Sequence, residues 1–234
     1  MPDLFEIYRT QPEKYDLLVS REDWKGNLLP AIESAAGLRG ADVVEFGAGT
    51  GRVTRLLAPR VASIHAFDAS ASMLDVAART LRAAGLSNWH VAVGDHRSVS
   101  AETASADIAV AGWTISAVAV TEQDWQTEVR GALQEMRRVA RPGGCVIVIE
   151  TLGTGWESPN PPDALHAYLS FLGAQGFHQE AIRTDYRFCG MEEARDLTEF
   201  FFGPDPLDAL VETEEGVVLP ECTGVWWALK DPAA

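Results

Sequence analysis

The stretch from Val43 to Thr54 reads V-V-E-F-G-A-G-T-G-R-V-T. An acid, Glu45, lies inside a short apolar strand. Gly47, Gly49 and Gly51 follow at alternate positions, with Ala48 between the first two, and an amphipathic helix begins at Arg52. Glycine tolerates positive φ and lets a backbone approach a ligand closely, and a helix start presents free N–H groups. A glycine trio alone is only a tight strand-to-helix turn. Further acids make it a candidate ligand site. Asp68, followed by Ala69, ends the run S-I-H-A-F-D, where a carboxylate can accept hydrogen bonds from both hydroxyls of a ribose. Gly94-Asp95-His96 and Gly112-Trp113-Thr114 close two further apolar runs. The spacing G-x-G-x-G differs by one residue from the dinucleotide fingerprint G-x-G-x-x-G, so a nicotinamide site is the less natural reading.

E-F-G-A-G-T-G resembles the first motif of the class I S-adenosylmethionine (SAM) methyltransferases. The resemblance implies SAM as cofactor and S-adenosylhomocysteine as product, with Glu45, Gly47, Ala48, Gly49 and Gly51 beneath the methionine half. It places Asp68 at the ribose, Ala69 among the cofactor contacts, Met73 against the adenine and Asp95 at the adenine amino group. His96 would cover the ring or face the substrate. The segment before the glycine strand would lid the cofactor, with Tyr15, Arg21 and Trp24 as candidate contacts to its carboxylate or to the substrate. Trp113 and Thr114 would open onto cofactor or acceptor at the end of the fourth strand. Met73 equally suits core packing, and His65, in mid-strand, reads as a satisfied buried histidine. The family has no fixed catalytic set. His96 and His166 are the candidate bases, and no metal is expected. The implied reaction is an in-line methyl transfer to a small-molecule acceptor. A non-catalytic SAM-binding module and a nicotinamide-dependent oxidoreductase stand as alternatives. None of Tyr8, Tyr15, Tyr168 and Tyr186 has the lysine four residues on that short-chain reductases need.

The elements that must position these residues alternate in type. Strands are expected over Val43–Phe46, Ser63–Asp68, Trp89–Val93, Asp107–Ala111 and Cys145–Glu150. Helices are expected after Arg52, from a Ser70 cap to about Ala84, and over Gln123–Ala140, where Trp125, Val129, Leu133, Met136 and Val139 share one face. Strand–helix alternation implies an α/β fold with a parallel sheet covered on both faces. The resemblance makes it a seven-stranded, mostly parallel, Rossmann-like sheet with an N-terminal helical lid. One domain spans 1–234, with a lid over 1–38, a SAM-binding core over 39–150 and a C-terminal half over 151–234. Ser20 and Asp23 resemble a capping box. Arg141-Pro142-Gly143-Gly144 reads as a turn, and residues 151–163 as a loop at the mouth of the site. Further on, a helix is expected over Ala164–Gly176, a sixth strand within R-T-D-Y-R-F (183–188), a helix over Met191–Phe202 and an edge hairpin strand over Val225–Leu229. Trp156, His166, Tyr168, Tyr186 and Phe188 suggest an aromatic mouth for a partly apolar acceptor.

Composition narrows the classes. With 234 residues, 47% hydrophobic and 23% charged, the chain suits one globular domain. A net charge of −15 and only three lysines disfavour a nucleic-acid partner. Asn160-Pro161-Pro162-Asp163 mimics the motif of DNA amino-methyltransferases but follows the wrong strand and lacks its aromatic residue. The place after the fourth strand carries Ala111-Gly112-Trp113-Thr114 instead. Cys145, Cys189 and Cys222 are scattered, without C-x-x-C, which argues against cysteine metal sites. The start M-P-D-L-F-E has no signal-peptide pattern, and no apolar run has membrane-spanning length. The expectation is a cytoplasmic protein with no membrane partner, monomer or homodimer being left open.

Overall fold

The computed structural model describes residues 4–232. Three short helices come first: α1 (Leu4–Thr10), α2 (Pro12–Val19) and α3 (Leu28–Ala35). The alternating part follows as β1 (Asp42–Phe46), α4 (Arg52–Leu57), β2 (Ser63–Asp68), α5 (Ala71–Ala83), β3 (Trp89–Val93), β4 (Ala106–Gly112), α6 (Ile115–Thr121), α7 (Trp125–Val139) and β5 (Ala140–Thr154). The remainder is α8 (Asp163–Ala174), β6 (His178–Arg183), β7 (Tyr186–Phe188), α9 (Met191–Phe202), β8 (Val211–Thr213), β9 (Gly216–Leu219) and β10 (Glu221–Leu229).

The main sheet has seven strands in the order β3-β2-β1-β4-β5-β10-β6. β1 pairs in parallel with β2 and β4, β2 with β3, and β4 with β5, whereas β10 runs antiparallel to β5 and β6. The central strands are apolar on both sides, as a sheet covered on both faces requires. Odd and even positions split cleanly. Val43, Ile108, Val110 and Ile147 pack with Leu28 and Ile32 of α3 and Val53 and Leu57 of α4. Val44, Phe46, Ala109 and Val148 face Val129, Leu133 and Met136 of α7 and Leu165 and Leu172 of α8. The chain reverses its crossover direction between β1 and β4. In an open α/β sheet that switch point leaves a crevice beyond the strand carboxyl ends, where ligands bind.

Several elements differ from the sequence reading. Ser20 is not a helix start. It ends α2, and its hydroxyl donates to the Leu17 carbonyl. The Asp23 carboxylate instead accepts from the N–H groups of Asn27 and Leu28 at 2.8 and 3.0 Å, holding the start of α3. The run at 183–188 is split. β6 ends at Arg183, and the Asp185 carboxylate ties the break by accepting from Arg183 Nε and from the Glu221 N–H. Tyr186–Phe188 then joins a separate antiparallel sheet, β7-β9-β8, under α9. The last strand lies inside the main sheet between β5 and β6, and the edge is β6. β5 runs on to Thr154, so the first four residues of the expected loop at 151–163 are sheet. His65 is exposed, tilted against His90 at 5.6 Å between ring centroids. The short helix α6 was not anticipated.

Candidate active site at the carboxyl ends of the parallel strands

The glycine turn is built by conformations that side chains rarely adopt. Gly47, Gly49 and Gly51 have φ of +70°, +55° and +82°. Each does different work. The N–H groups of Gly47 and Ala48 both donate to the Phe67 carbonyl, at 2.7 and 2.9 Å, and so bend the chain across the end of β2. A Cβ at Gly47 would overlap the side chain of Thr114. At Gly51 it would lie 3.1 Å from Ala77 Cβ, so Gly51 serves the packing of α4 on α5. At Gly49 it would meet only Met73 Cε at 3.5 Å and Tyr15 Cε1 at 4.0 Å. Gly49 therefore leaves open a gap between a thioether and a phenol ring.

Asp68 ties the two strand ends together. Its Oδ2 accepts from the Gly49 N–H and its Oδ1 from the Ser70 N–H, both at 2.8 Å. Each oxygen keeps a lone pair for a further donor. Burial, opposed by these two hydrogen bonds, holds the carboxyl above its ordinary range. Glu45 is 1% exposed, and Thr54 on α4 donates to it at 2.6 Å. Burial, with Asp68 nearby, pushes Glu45 up to about 8. Ser70 caps α5 as expected, accepting from the Met73 N–H.

The turn and Asp68 face a cavity of about 470 Å³, within the range of small-ligand sites. Tyr15, Glu45, Gly47, Ala48, Gly49, Asp68, Ala69, Met73, Asp95, His96 and Trp113 all line it. Asp95 accepts from Arg97 Nη2 at 2.6 Å, and that guanidinium holds its carboxyl well below the usual range. His96 is held down by burial, and its Nε2 is buried without a partner. Trp113 adopts φ +50°, a strained value for a bulky residue. Its N–H donates to the Ile149 carbonyl at 2.7 Å, and the Arg52 guanidinium covers its ring at 3.6 Å.

Other expected residues are elsewhere. Gly51 lies behind the wall. Arg21 reaches Glu193 of α9 at 2.6 Å, because α2 packs on the C-terminal layer that carries α9. Trp24 lies beneath the Lys25 and Arg187 side chains, 5.0 and 4.7 Å from its ring, and does not line the cavity. His166 is exposed, with Nε2 3.0 Å from the Pro161 carbonyl, and does not reach the cavity. The aromatic mouth from 151–188 is not formed either. Trp156 is 53% exposed, Tyr168 is buried on Glu150 at 2.9 Å, and Tyr186 and Phe188 fill the core under the small sheet. The rest of the cavity wall comes instead from Phe5, Tyr8 and Arg9 of α1 and from Ala117, Val118 and Thr121 of α6, with Glu122 at its end. Tyr8 and Tyr15 meet edge to face at 5.2 Å, and Tyr15 rests on Phe201 at 5.2 Å. Burial beside Asp68 and Glu150 pushes the Tyr8 phenol up to about 12, so it stays protonated at neutral pH. Arg52, next to the last glycine, had a local signal as the first helical residue. Tyr8 had none. Among the described residues, no group of three or more His, Cys, Asp or Glu is placed to hold a metal ion, and no helix is long and apolar enough to cross a membrane.

Comparison with known proteins agrees with this geometry. The family described as a methyltransferase domain matches residues 43–144. The chain is 28% identical over 137 residues to a malonyl-[acyl-carrier protein] O-methyltransferase of Serratia marcescens, covering 56% of this chain and 49% of that protein. It spans about half the length of the curated relatives it matches. Among solved structures, phosphoethanolamine N-methyltransferase 2 of Haemonchus contortus, in complex with SAM, superposes with a TM-score of 0.59. That match has 17% identity and covers 97% of this chain and 59% of the other. A SAM-dependent methyltransferase of Aquifex aeolicus gives a TM-score of 0.52 at 16% identity, covering 96% and 93%. At these identities the likeness is one of fold.

Proposed function

We propose that this chain, a class I methyltransferase by its fold and its methyltransferase domain, transfers the methyl group of SAM to a small-molecule acceptor. The observation that carries the reading is the single carboxylate of Asp68, which binds the Gly49 N–H in the glycine turn and caps the end of β2, on the floor of one cavity. A strand-end acid and a positive-φ glycine turn meeting at one cavity suit a nucleoside with a short chain.

The residues fit the cofactor. Asp68 keeps lone pairs for the two ribose hydroxyls. Met73 and Ala69 offer apolar surface to the adenine, and Asp95 with His96 offers polar groups at its edge. The open space at Gly49, between Met73 and Tyr15, admits the methionine chain. Arg52, on the wall beside the turn, is the cation nearest its carboxylate. SAM supplies an electrophilic methyl on a sulfonium, a good leaving group. The chain's own contribution is to align the acceptor with that methyl and to exclude water, with α1 and α6 as the walls. Tyr8 is a polar group on that wall that can orient the acceptor. His96, neutral near pH 7, remains as a base, whereas His166 is too far from the cavity to serve.

Titration calorimetry with SAM and NADH tests the reading. SAM is expected to bind and NADH not to bind, and the opposite result would overturn it. A metabolite screen read by S-adenosylhomocysteine release tests the acceptor class. Turnover on tRNA or DNA alone would overturn the small-molecule part.

A further inference from the structure

We propose that the methyl acceptor is an amine that enters as a cation, and not a carboxylate or phosphate. The inference rests on the methyl-transfer reading above and narrows its substrate class.

An anionic acceptor needs a free positive charge in the cavity. Three arginines line it, and a carboxylate outside the reacting space engages each. Arg9 is held by Glu6 at 2.6 Å, Arg97 by Asp95 and Glu128 at 2.6 Å each, and Arg52 by Glu22 at 2.6 Å. Arg52 Nη2 is buried without a partner, and among the described residues it is the one buried cationic donor left over, in a guanidinium that lies over Trp113 on the side assigned to the cofactor's own carboxylate. Desolvating an anion without a partner is costly, so this cavity disfavours one.

The acids are balanced differently. Asp68 faces the cavity bonded only to two backbone N–H groups. Glu122 lines the mouth, and among the described residues no cationic partner is placed on it. Behind the acceptor wall, Glu150 is wholly buried. Its Oε1 accepts from the Ser116 N–H and the Tyr168 hydroxyl, and its Oε2 has no partner. Tyr8 stands in the field of both Asp68 and Glu150, and with Tyr15 it brings ring surface to the cavity. The Asp68 and Glu122 carboxylates, a phenol that can accept a hydrogen bond and ring faces together stabilise a cation, and Glu150, pushed up to about 7 by burial, adds only part of a charge.

The reaction balances with an amine. The bound ammonium gives one proton to solvent at the mouth, where Glu122 is exposed. The freed nitrogen lone pair forms a bond to the methyl carbon. The carbon–sulfur bond breaks with its electrons going to sulfur, which leaves a neutral thioether and a methylated ammonium.

The test uses the whole chain and two cofactor analogues. Sinefungin carries an amine where SAM carries its methyl sulfonium, and S-adenosylhomocysteine carries only a neutral sulfur. By calorimetry, sinefungin is expected to bind about tenfold tighter than S-adenosylhomocysteine at pH 7. Glu122→Lys, an exposed change, should shrink that ratio several-fold and leave S-adenosylhomocysteine affinity as it was. Turnover of primary and secondary amines with a KM unmoved by Glu122→Lys would overturn the proposal. So would methyl transfer to a pool of carboxylic acids with none to a matched pool of primary and secondary amines. If neither analogue nor SAM binds, the methyl-transfer reading itself fails, which is a separate result.

Discussion

The glycine turn at 47–51 and the ring-rich stretch at 151–188 both looked like binding surface, and only the first lines the cavity. The turn's evidence was conformational. Three glycines at alternate positions leave a strand-to-helix connection few alternatives, and the structure uses positive φ at all three. The evidence in 151–188 was only composition. A ring fills a core as readily as it lines a mouth, and Tyr168, Tyr186 and Phe188 are 1%, 5% and 1% exposed. Backbone constraint is local and therefore locates a site. Side-chain type is decided by what packs against it.

Substitutions in the two regions should separate accordingly. Gly47→Val combines a forbidden φ with overlap on Thr114, and is expected to lower stability by roughly 2–4 kcal/mol and abolish SAM binding. Thermal unfolding with calorimetry checks both, and a stable Gly47→Val protein that binds SAM would erase the distinction. Gly49→Ala is milder for the fold, since its Cβ meets only ordinary contacts, yet it fills the gap beside Tyr15. The protein should fold with a penalty of about 1 kcal/mol, and SAM affinity should fall at least tenfold. Asp68→Asn keeps an acceptor oxygen but loses the charge, and should weaken SAM by about 1–3 kcal/mol.

A pH series sharpens the comparison. Glu45 titrates at about 8 in the folded chain against an ordinary 4.5. The native state therefore holds a proton that the unfolded state has released, so stability falls as pH rises between those values. Glu150, at about 7, and Glu221, at about 8, act in the same direction. Glu45→Gln should flatten the decline in Tm between pH 5 and 8, and an unchanged slope would count against a buried neutral Glu45. The smallest effect is expected from His166→Ala and Trp156→Ala. Both are exposed and outside the cavity, so stability should change by less than about 0.5 kcal/mol, with SAM affinity and turnover unaltered.

Much of the cavity around the glycine turn was legible because its signals are short-range. Val43, Val44 and Phe46 announce a buried strand, Ser70 announces a helix start, and Asp68 and Asp95 sit where their strands end. The misplacements share one cause. Arg21 belongs to the segment expected to lid the ligand, but its partner Glu193 is 172 residues away along the chain. His65 looked internal from its apolar neighbours, yet it points outward because side chains alternate across a strand.

From the sequence alone came the α/β class, the strand-to-helix turn, and the acids at the end of β2 and just past β3, since propensity, period and glycine chemistry act over a few residues. Tertiary structure decided which rings and charges meet. Tyr8 reaches the cavity only because α1 packs against α5, with Ser72 bonded to the Tyr8 carbonyl 64 residues away. Likewise α6 becomes a wall because Glu150, 34 residues on, accepts the Ser116 N–H at its first turn. Contacts across such separations depend on the whole sheet being assembled, and no local pattern encodes them.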